Sequence, residues 1–549
     1  MTGRSNAAAV LPLTLGLALW GAVLAAVPLL AEGLIVTQHE GDTLHLADLV
    51  LRMAEKGQMP HRDFMTPLGI AGLWPIAAFV QAGLGLGQAF LAAQAAVAAV
   101  LFLPILRAAQ SRLPGGLAWI FGAYVLGMVL ALVHGETKPL FSVSMHYNRW
   151  AWAMAYVAVA LAVLEPLGPR RERLDGALIG ALMAGLGLIK VTYVAALAPA
   201  LVVALLARRD LRTLGVAVLS GLFVLAVVTA LLGPGFWAAY LRDLLMVAGS
   251  TTRAAPGDSL GAVLMAPKHM AATLVALATV IFLRQSGRRA EGLALLWLVP
   301  AFAYVTYQNF GNDPQWLVLV GLIALALRPD RRVDNGLGWP LREVLLATGV
   351  AALALAAGPM ANLLTSPLRH PLAGTAESVP LLSARPQDAD LQVLAARVYR
   401  VQQKQVADGP GQPFAAYAGR GETAATPRGP AVLNGETLPD CEILMGYAAW
   451  FETLAADLTQ AGYARSRVLV ADLFSALWLY GPFEPVKGAA PWYYGGTPGI
   501  AAADHVLVPL CPTGQTRRDE IVTAIAEAGW RLVEERRTAT YILLRPERP

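Results

Sequence analysis

The sequence predicts a mainly α-helical, polytopic membrane protein with a C-terminal extracytoplasmic α/β domain. Apolar residues make up 56% of the chain, charged residues only 14%, and mean hydropathy is +0.54, a balance too apolar for a soluble fold. The charges come in clumps between apolar runs of membrane-spanning length. Beyond residue 364 those runs stop and short patterned segments replace them. The formal net charge of +5 needs no nucleic-acid partner, because basic residues flanking spans account for it.

The first apolar run, 10–31, follows Arg4 and exceeds the apolar core of a cleaved signal, so it reads as an uncleaved first span. An ionisable cluster follows at once: Glu32, His39, Glu40, Asp42 and His45. Residues 43–57 then read as a short amphipathic helix, with Leu46, Leu49, Val50 and Met53 on one face. Further apolar runs lie at 68–86, 88–106, 116–133, 150–164, 174–189, 191–207, 213–232, 260–283, 291–306, 316–327 and 341–362. Basic clusters at Arg107/Arg112, Arg170/Arg171/Arg173, Arg208/Arg209/Arg212, Arg284/Arg288/Arg289 and Arg328/Arg331/Arg332 are cytoplasmic by the positive-inside rule. About 11 to 13 crossings and an outward C-terminus follow. One parity conflict stands: if 68–86 and 88–106 both cross, Arg107 lands outside, so one of them is expected to re-enter or lie at the interface.

The membrane domain is placed at 1–364 and the outer domain at 365–549. Within the latter, 365–435 is rich in Pro, Gly, Ala and Gln. After it, a helix is expected at 445–460, strands at 467–472 and 505–509, a helix at 519–529 and a terminal hairpin at 530–534 with 540–544. Alternation of strand and helix over about 180 residues gives a small α/β domain. The two cysteines, Cys441 and Cys511, both fall there and can pair if that side is oxidising; two unpaired buried thiols are the alternative. No zinc-type spacing, G-x-G-x-x-G or P-loop occurs. No cofactor is therefore expected, with a divalent metal left open.

Chemistry points to the outer face. A carboxylate at a membrane boundary is costly and marks function, and Asp42 or Glu40 can serve as general base toward a hydroxyl. The competing reading makes Asp42 an ordinary helix cap. The same loop holds His61, Arg62 and Asp63. Cations on the outside, Lys138, Arg149 and Arg253, run against the charge bias and suit a phosphate, although headgroup attraction needs no substrate. His146, Tyr147, Asn148 and Arg149 form a dense polar run at the start of a span, read as lining the site. Lys190 sits among apolar residues at the tip of a short span pair, a functional position by default, with snorkelling the plainer reading. Aromatic residues Trp478, Tyr480, Trp492, Tyr493 and Tyr494 suit a sugar face, the membrane interface or simple packing.

In layout this chain resembles the GT-C superfamily of integral-membrane glycosyltransferases, which take sugars from polyprenyl-phosphate carriers. The likeness rests on a first span leading to an acidic outer loop, 32–67, an amphipathic helix, Gly57-Gln58-Met59-Pro60, then Pro67-Leu68-Gly69 opening the next apolar run. As layout it covers most of 1–362; as motif it covers chiefly 38–72. It implies a polyprenyl-phosphate-linked sugar donor, an extracytoplasmic acceptor, a first-loop carboxylate as base (Asp42 the better match, Glu40 second), outer Arg and Lys groups on the phosphate, and inversion at the anomeric carbon. The family's adjacent acidic pair is replaced here by Glu40-Gly41-Asp42. The expected place is the bilayer of a bacterial inner membrane, multi-pass, with the C-terminal domain in the periplasm. Two other functions fit the same residues: a transporter or flippase of a lipid-linked or anionic envelope substrate, and an assembly or polymerase component for envelope polysaccharide.

Overall fold

The computed structural model describes residues 3–250, 259–309, 312–374, 377–405, 407, 413–417, 420 and 431–548, with the backbone alone over 3–9. The first helix, α1 (Gly3–Leu29), packs Leu13, Leu17 and Leu24 inward and leaves Leu11, Leu15 and Leu19 outward. A three-residue strand, β1 (Leu34–Val36), leads to α2 (Glu40–Lys56), which Gly57 ends in the left-handed conformation that a residue without Cβ adopts at low cost. A 3-10 turn at Ile70–Gly72 and α3 (Trp74–Gln81) follow, and then α4 (Leu86–Arg112). The eight residues of α3 rise about 12 Å, far short of the ~30 Å hydrocarbon core. The run 68–86 therefore does not cross. Of the two runs, only the 27-residue α4 is long and apolar enough to cross, and a single crossing there removes the parity conflict.

The bundle continues with α5 (Gly116–Leu130), α6 (His146–Val163), α7 (Glu172–Ile189), α8 (Val191–Ala207), α9 (Leu211–Leu232), α10 (Gly235–Ala248), α11 (Leu260–Met265), α12 (Pro267–Gln285), α13 (Arg289–Gln308), α14 (Leu317–Ala326), α15 (Leu341–Leu355) and α16 (Ala357–Arg369). Among the described residues five helices (α1, α4, α9, α12 and α13) are long and apolar enough to cross a membrane alone; α15 and α16, bent by 53°, make a further candidate. Helices α5, α8 and α14 are apolar but shorter, and α6 is buried along nearly its whole length. Close backbone contact holds α7 to α9: a Cβ on Gly180 would stand 2.0 Å from the Ala217 carbonyl oxygen.

The basic clusters interlock at one end. Arg107 and Arg112 both bind Asp175 at the start of α7 (2.9 and 2.6 Å), and Arg208 donates to the carbonyls of Ala162 and Leu164. Arg288 reaches Glu165 at 3.3 Å, and Asn335 reaches Gln285 at 3.2 Å. The α4 axis, about 40 Å long, separates this end from the loop that carries Glu40 and Asp42.

The outer region is assembled on the first loop. Strand β1 pairs in parallel with β3 (Leu391–Leu394), which pairs antiparallel with β2 (Ser378–Pro380). Asp388 and Asp390 accept the amide hydrogens of Leu86, Gly87 and Gln88 and so cap α4. Past α17 (Ala395–Val398), β4 (Gln402–Gln405) and the small pair β5 (Val432–Leu433) and β6 (Glu436–Thr437) come β7 (Cys441–Met445), which pairs with β4, and α18 (Tyr447–Gln460). A four-stranded sheet, ordered β10-β11-β9-β8, closes the chain, from β8 (Val468–Val470), β9 (His505–Pro509), β10 (Arg531–Arg537) and β11 (Tyr541–Glu547), with α19 (Gln515–Glu527) beside it. The patterned elements expected from 445 onward are all present within a few residues. A disulfide joins Cys441 to Cys511. One apolar core runs from the bundle through α2 to Phe451 and Trp478; a second lies under the four-stranded sheet around Val506, Val508, Ile521 and Ile542.

Candidate active site

Asp42 stands in the first turn of α2, half-buried, and is not its cap. That place belongs to His39, in left-handed backbone (φ 61°) with no side-chain bond to the helix. A non-glycine residue there is strained, as happens where surrounding contacts over-determine a site. Ser142 lies 3.1 Å from His39 Nδ1, and the His134 ring is 4.6 Å away. Burial, and next the neighbouring His134, lower the His39 pKa to about 4. His134 in turn lies 3.5 Å from Glu136 and draws that carboxyl down to about 2. Glu40, buried, is gripped by both forks of Arg397 from α17, with Nη2 to Oε2 at 3.0 Å. Tyr447, at the start of α18, lies in the field of Glu40, Arg397 and Asp42, and its hydroxyl is buried without a hydrogen-bond partner among the described residues.

The rest of α2 is clamped between the bundle and the outer region. His45 faces Trp492 at 5.4 Å, and Gly41 lies against Phe474. Asp48 and Arg52, both fully buried, pair at 2.5 Å; Trp478 donates to Asp48 and Arg52 to the Val486 carbonyl. Burial pushes the Asp48 carboxyl above the ordinary range, against the pull of Arg52.

Lys190 forms a second centre. It breaks the line between α7 and α8 in extended backbone (φ −158°, ψ 107°). Its ammonium donates to Asn309 Oδ1 at 2.5 Å and Asn148 Oδ1 at 3.3 Å and lies 5.8 Å over the Tyr147 ring. Tyr193 accepts from the Asn309 amide Nδ2 at 3.1 Å and donates to the backbone carbonyl of Asn148 at 3.3 Å. The Pro67-Leu68-Gly69 run docks at this break: Gly69 N donates to the Ile189 carbonyl at 2.9 Å, and a Cβ on Gly69 would meet the Leu188 oxygen at 2.1 Å. His146 holds the 3-10 turn that follows it through the Gly72 carbonyl at 2.9 Å. Arg149, fully buried, gives Nη1 to the Val133 and Ser144 carbonyls; Nε and Nη2 have no hydrogen-bond partner among the described residues. The segment 142–149 thus links the two centres, touching His39 through Ser142 and Lys190 through Asn148.

Other expected residues are held by other partners. His61 turns to Asp243 on α10 at 3.0 Å, exposed Arg62 reaches the Leu232 carbonyl at 3.5 Å, and Asp63 pairs with Lys487 at 3.1 Å. Lys138 is exposed on the loop whose carbonyl Asn362 holds. Arg253 lies outside the described residues. No group of three or more His, Cys, Asp or Glu side chains fit to hold a metal occurs among the described residues. Sequence reasoning missed Arg397, Tyr447, Asn309 and Tyr193, and assigned no role to Asp48 and Arg52. Lys190 was the one pointer to Asn309 and Tyr193, since a partly buried ammonium among apolar residues needs acceptors.

No protein-family model and no curated protein matches this chain. Among solved structures, the chain is similar to the arabinofuranosyltransferase AftD from Mycobacteria, with a TM-score of 0.38 and 14% identity over 96% of this chain and 40% of that one. This chain thus spans well under half of the AftD chain's length. It is also similar to ArnT from Cupriavidus metallidurans bound to undecaprenyl phosphate, with a TM-score of 0.35 and 14% identity over 96% of this chain and 97% of that one.

Proposed function

We propose that this protein is a membrane glycosyltransferase that moves a sugar from a polyprenyl-phosphate carrier to an acceptor hydroxyl at the outer face. The single observation that supports it most is that segment 142–149 contacts both His39, at the start of the helix that carries Asp42, and Lys190. General-base chemistry and phosphate stabilisation then share one face of one bundle. In the reaction Asp42 takes the acceptor's hydroxyl proton, the oxygen bonds to the anomeric carbon, and the bond from that carbon to the phosphate oxygen breaks. The polyprenyl phosphate leaves with the bonding electrons. Lys190, fixed by Asn148 and Asn309, offsets its charge, with Arg149, next to Asn148 on α6, adding a second cation. Attack from the face opposite the phosphate inverts the anomeric carbon. The protein resides in the bilayer of a cell envelope, with residues 365–549 on the outer, periplasmic side.

Cells lacking the protein and complemented with Asp42→Asn or Lys190→Met test this reading. Mass analysis of their lipid-linked sugars and surface glycans is expected to show the donor accumulating and the product lost in both, with variant levels in membranes unchanged. Product at wild-type level in Asp42→Asn excludes this base. Uptake that depends on an ion gradient, with glycans unaltered, identifies a transporter instead.

A further inference from the structure

We propose that a cavity at the basic end of the bundle binds the phosphate headgroup of an anionic glycerophospholipid. The cavity, about 470 Å³ in volume, lies where the chain leaving α6, the end of α8 and the α12–α13 turn meet. Its charged lining is Arg208, Arg288, Arg289, Glu165 and Glu291. Lys190 and Arg208 flank the two ends of the 17-residue α8, about 25 Å long. The cavity is therefore distinct from the site proposed for sugar transfer.

The three arginines are not equally engaged. Arg288 faces both carboxylates, at 3.3 Å from Glu165 and 3.8 Å from Glu291. Arg208 gives only Nη1, to the Ala162 and Leu164 carbonyls, both at 2.9 Å. Its Nε and Nη2 make no hydrogen bond among the described residues, and the Arg289 side chain makes no hydrogen bond or ion pair there. Three arginines against two glutamates leave one positive charge in surplus. A phosphate diester carries one negative charge, and its oxygens accept from guanidinium forks.

The surroundings favour a lipid over a free anion. Leu293 lines the cavity, and Leu296 and Trp297, three and four positions on, share its face of α13. Both are exposed, at 38% and 48%, as is Leu206 on α8. A basic pocket between spans, continued by an apolar strip along one of them, fits a headgroup with its acyl chains. A free phosphate gains nothing from that strip.

The test titrates the full-length protein in detergent with dioleoyl phosphatidylglycerol or dioleoyl phosphatidylcholine, reads bound lipid by native mass spectrometry, and adds inorganic phosphate as competitor. Phosphatidylglycerol is expected to bind about ten-fold more tightly than phosphatidylcholine and to stay bound against an equal concentration of phosphate. Arg289→Gln is expected to weaken phosphatidylglycerol binding about ten-fold, the worth of one charge-assisted hydrogen bond. The thermal midpoint of the lipid-free variant stays at the wild-type value, because Arg289 holds nothing in the fold. Arg209→Gln removes an exposed charge next to Arg208 but outside the cavity lining, and is expected to bind as wild type. Wild-type binding by Arg289→Gln, or equal losses in both variants, reduces the effect to diffuse surface charge and overturns the site. Equal binding of the two lipids does the same. Displacement by an equal concentration of phosphate assigns the cavity to a soluble anion and overturns the lipid. If Arg289→Gln lowers the midpoint, Glu165→Gln decides. Releasing Arg288 from that exposed pair is expected to tighten binding about two- to three-fold, and unchanged binding overturns the proposal.

Discussion

Glu40 and Asp42 are two positions apart, yet their surroundings differ. Glu40 is buried in a guanidinium fork, whereas Asp42 stays half-exposed on the same turn. Asp42→Asn is therefore expected to cost about 10²- to 10⁴-fold in turnover, the usual worth of a general base, and Glu40→Gln no more than about ten-fold, read as initial rates of sugar transfer. Lys190 depends on two neutral amides, so Asn309→Ala is expected to lower transfer about ten-fold without changing the amount of folded protein. His39 gives a stability prediction. Its folded pKa, about 4, lies below the ordinary 6.5, so the unfolded chain binds the proton more readily between those values. Stability is expected to fall as pH drops from 6.5 towards 4, and His39→Gln to flatten that part of the thermal-unfolding profile. Asp42, Lys190 and the run 146–149 were legible in the sequence because ionisable residues beside apolar runs stand out. Arg397 was not, since it lies 357 positions from its partner in a stretch whose composition carries no pattern.

At the level of elements, α2 ties the bundle to the outer region. Asp48 and Arg52 are both buried, and removing either partner strands the other's charge. Arg52→Leu is expected to destabilise the protein by about 3–5 kcal/mol, measured as a fall in the thermal midpoint of detergent-purified protein. Docking of the Pro67-Leu68-Gly69 run is as strict. Gly69→Ala sets a methyl group 2.1 Å from the Leu188 oxygen, so the run must shift away from the Lys190 break. The helix 43–57 was legible because its apolar period is strong, and so were the basic turns between spans. The run 68–86 was ambiguous because composition alone cannot tell a span from an eight-residue re-entrant helix. Strand β1 was invisible: three buried residues show no alternation, and their partner is β3, more than three hundred residues on.

For the molecule as a whole, the outer region and the first loop form one packed unit, tied by β1–β3 pairing, the Asp388 and Asp390 caps on α4 and the Arg397–Glu40 pair. The Cys441–Cys511 bridge closes a separation of 70 residues in that unit. Loop-entropy reasoning gives it about 4 kcal/mol of stabilisation, so reductant is expected to lower the unfolding midpoint of the outer region. In the proposed reaction an acid at the start of α2 and the Lys190 centre act on one substrate from one side of the membrane. The most direct measurement is transfer of radiolabel from extracted lipid-linked sugar to product by membranes carrying Asp42→Asn. With the variant present at wild-type level, the label is expected to remain on the lipid carrier; label reaching product at the wild-type rate contradicts the claim.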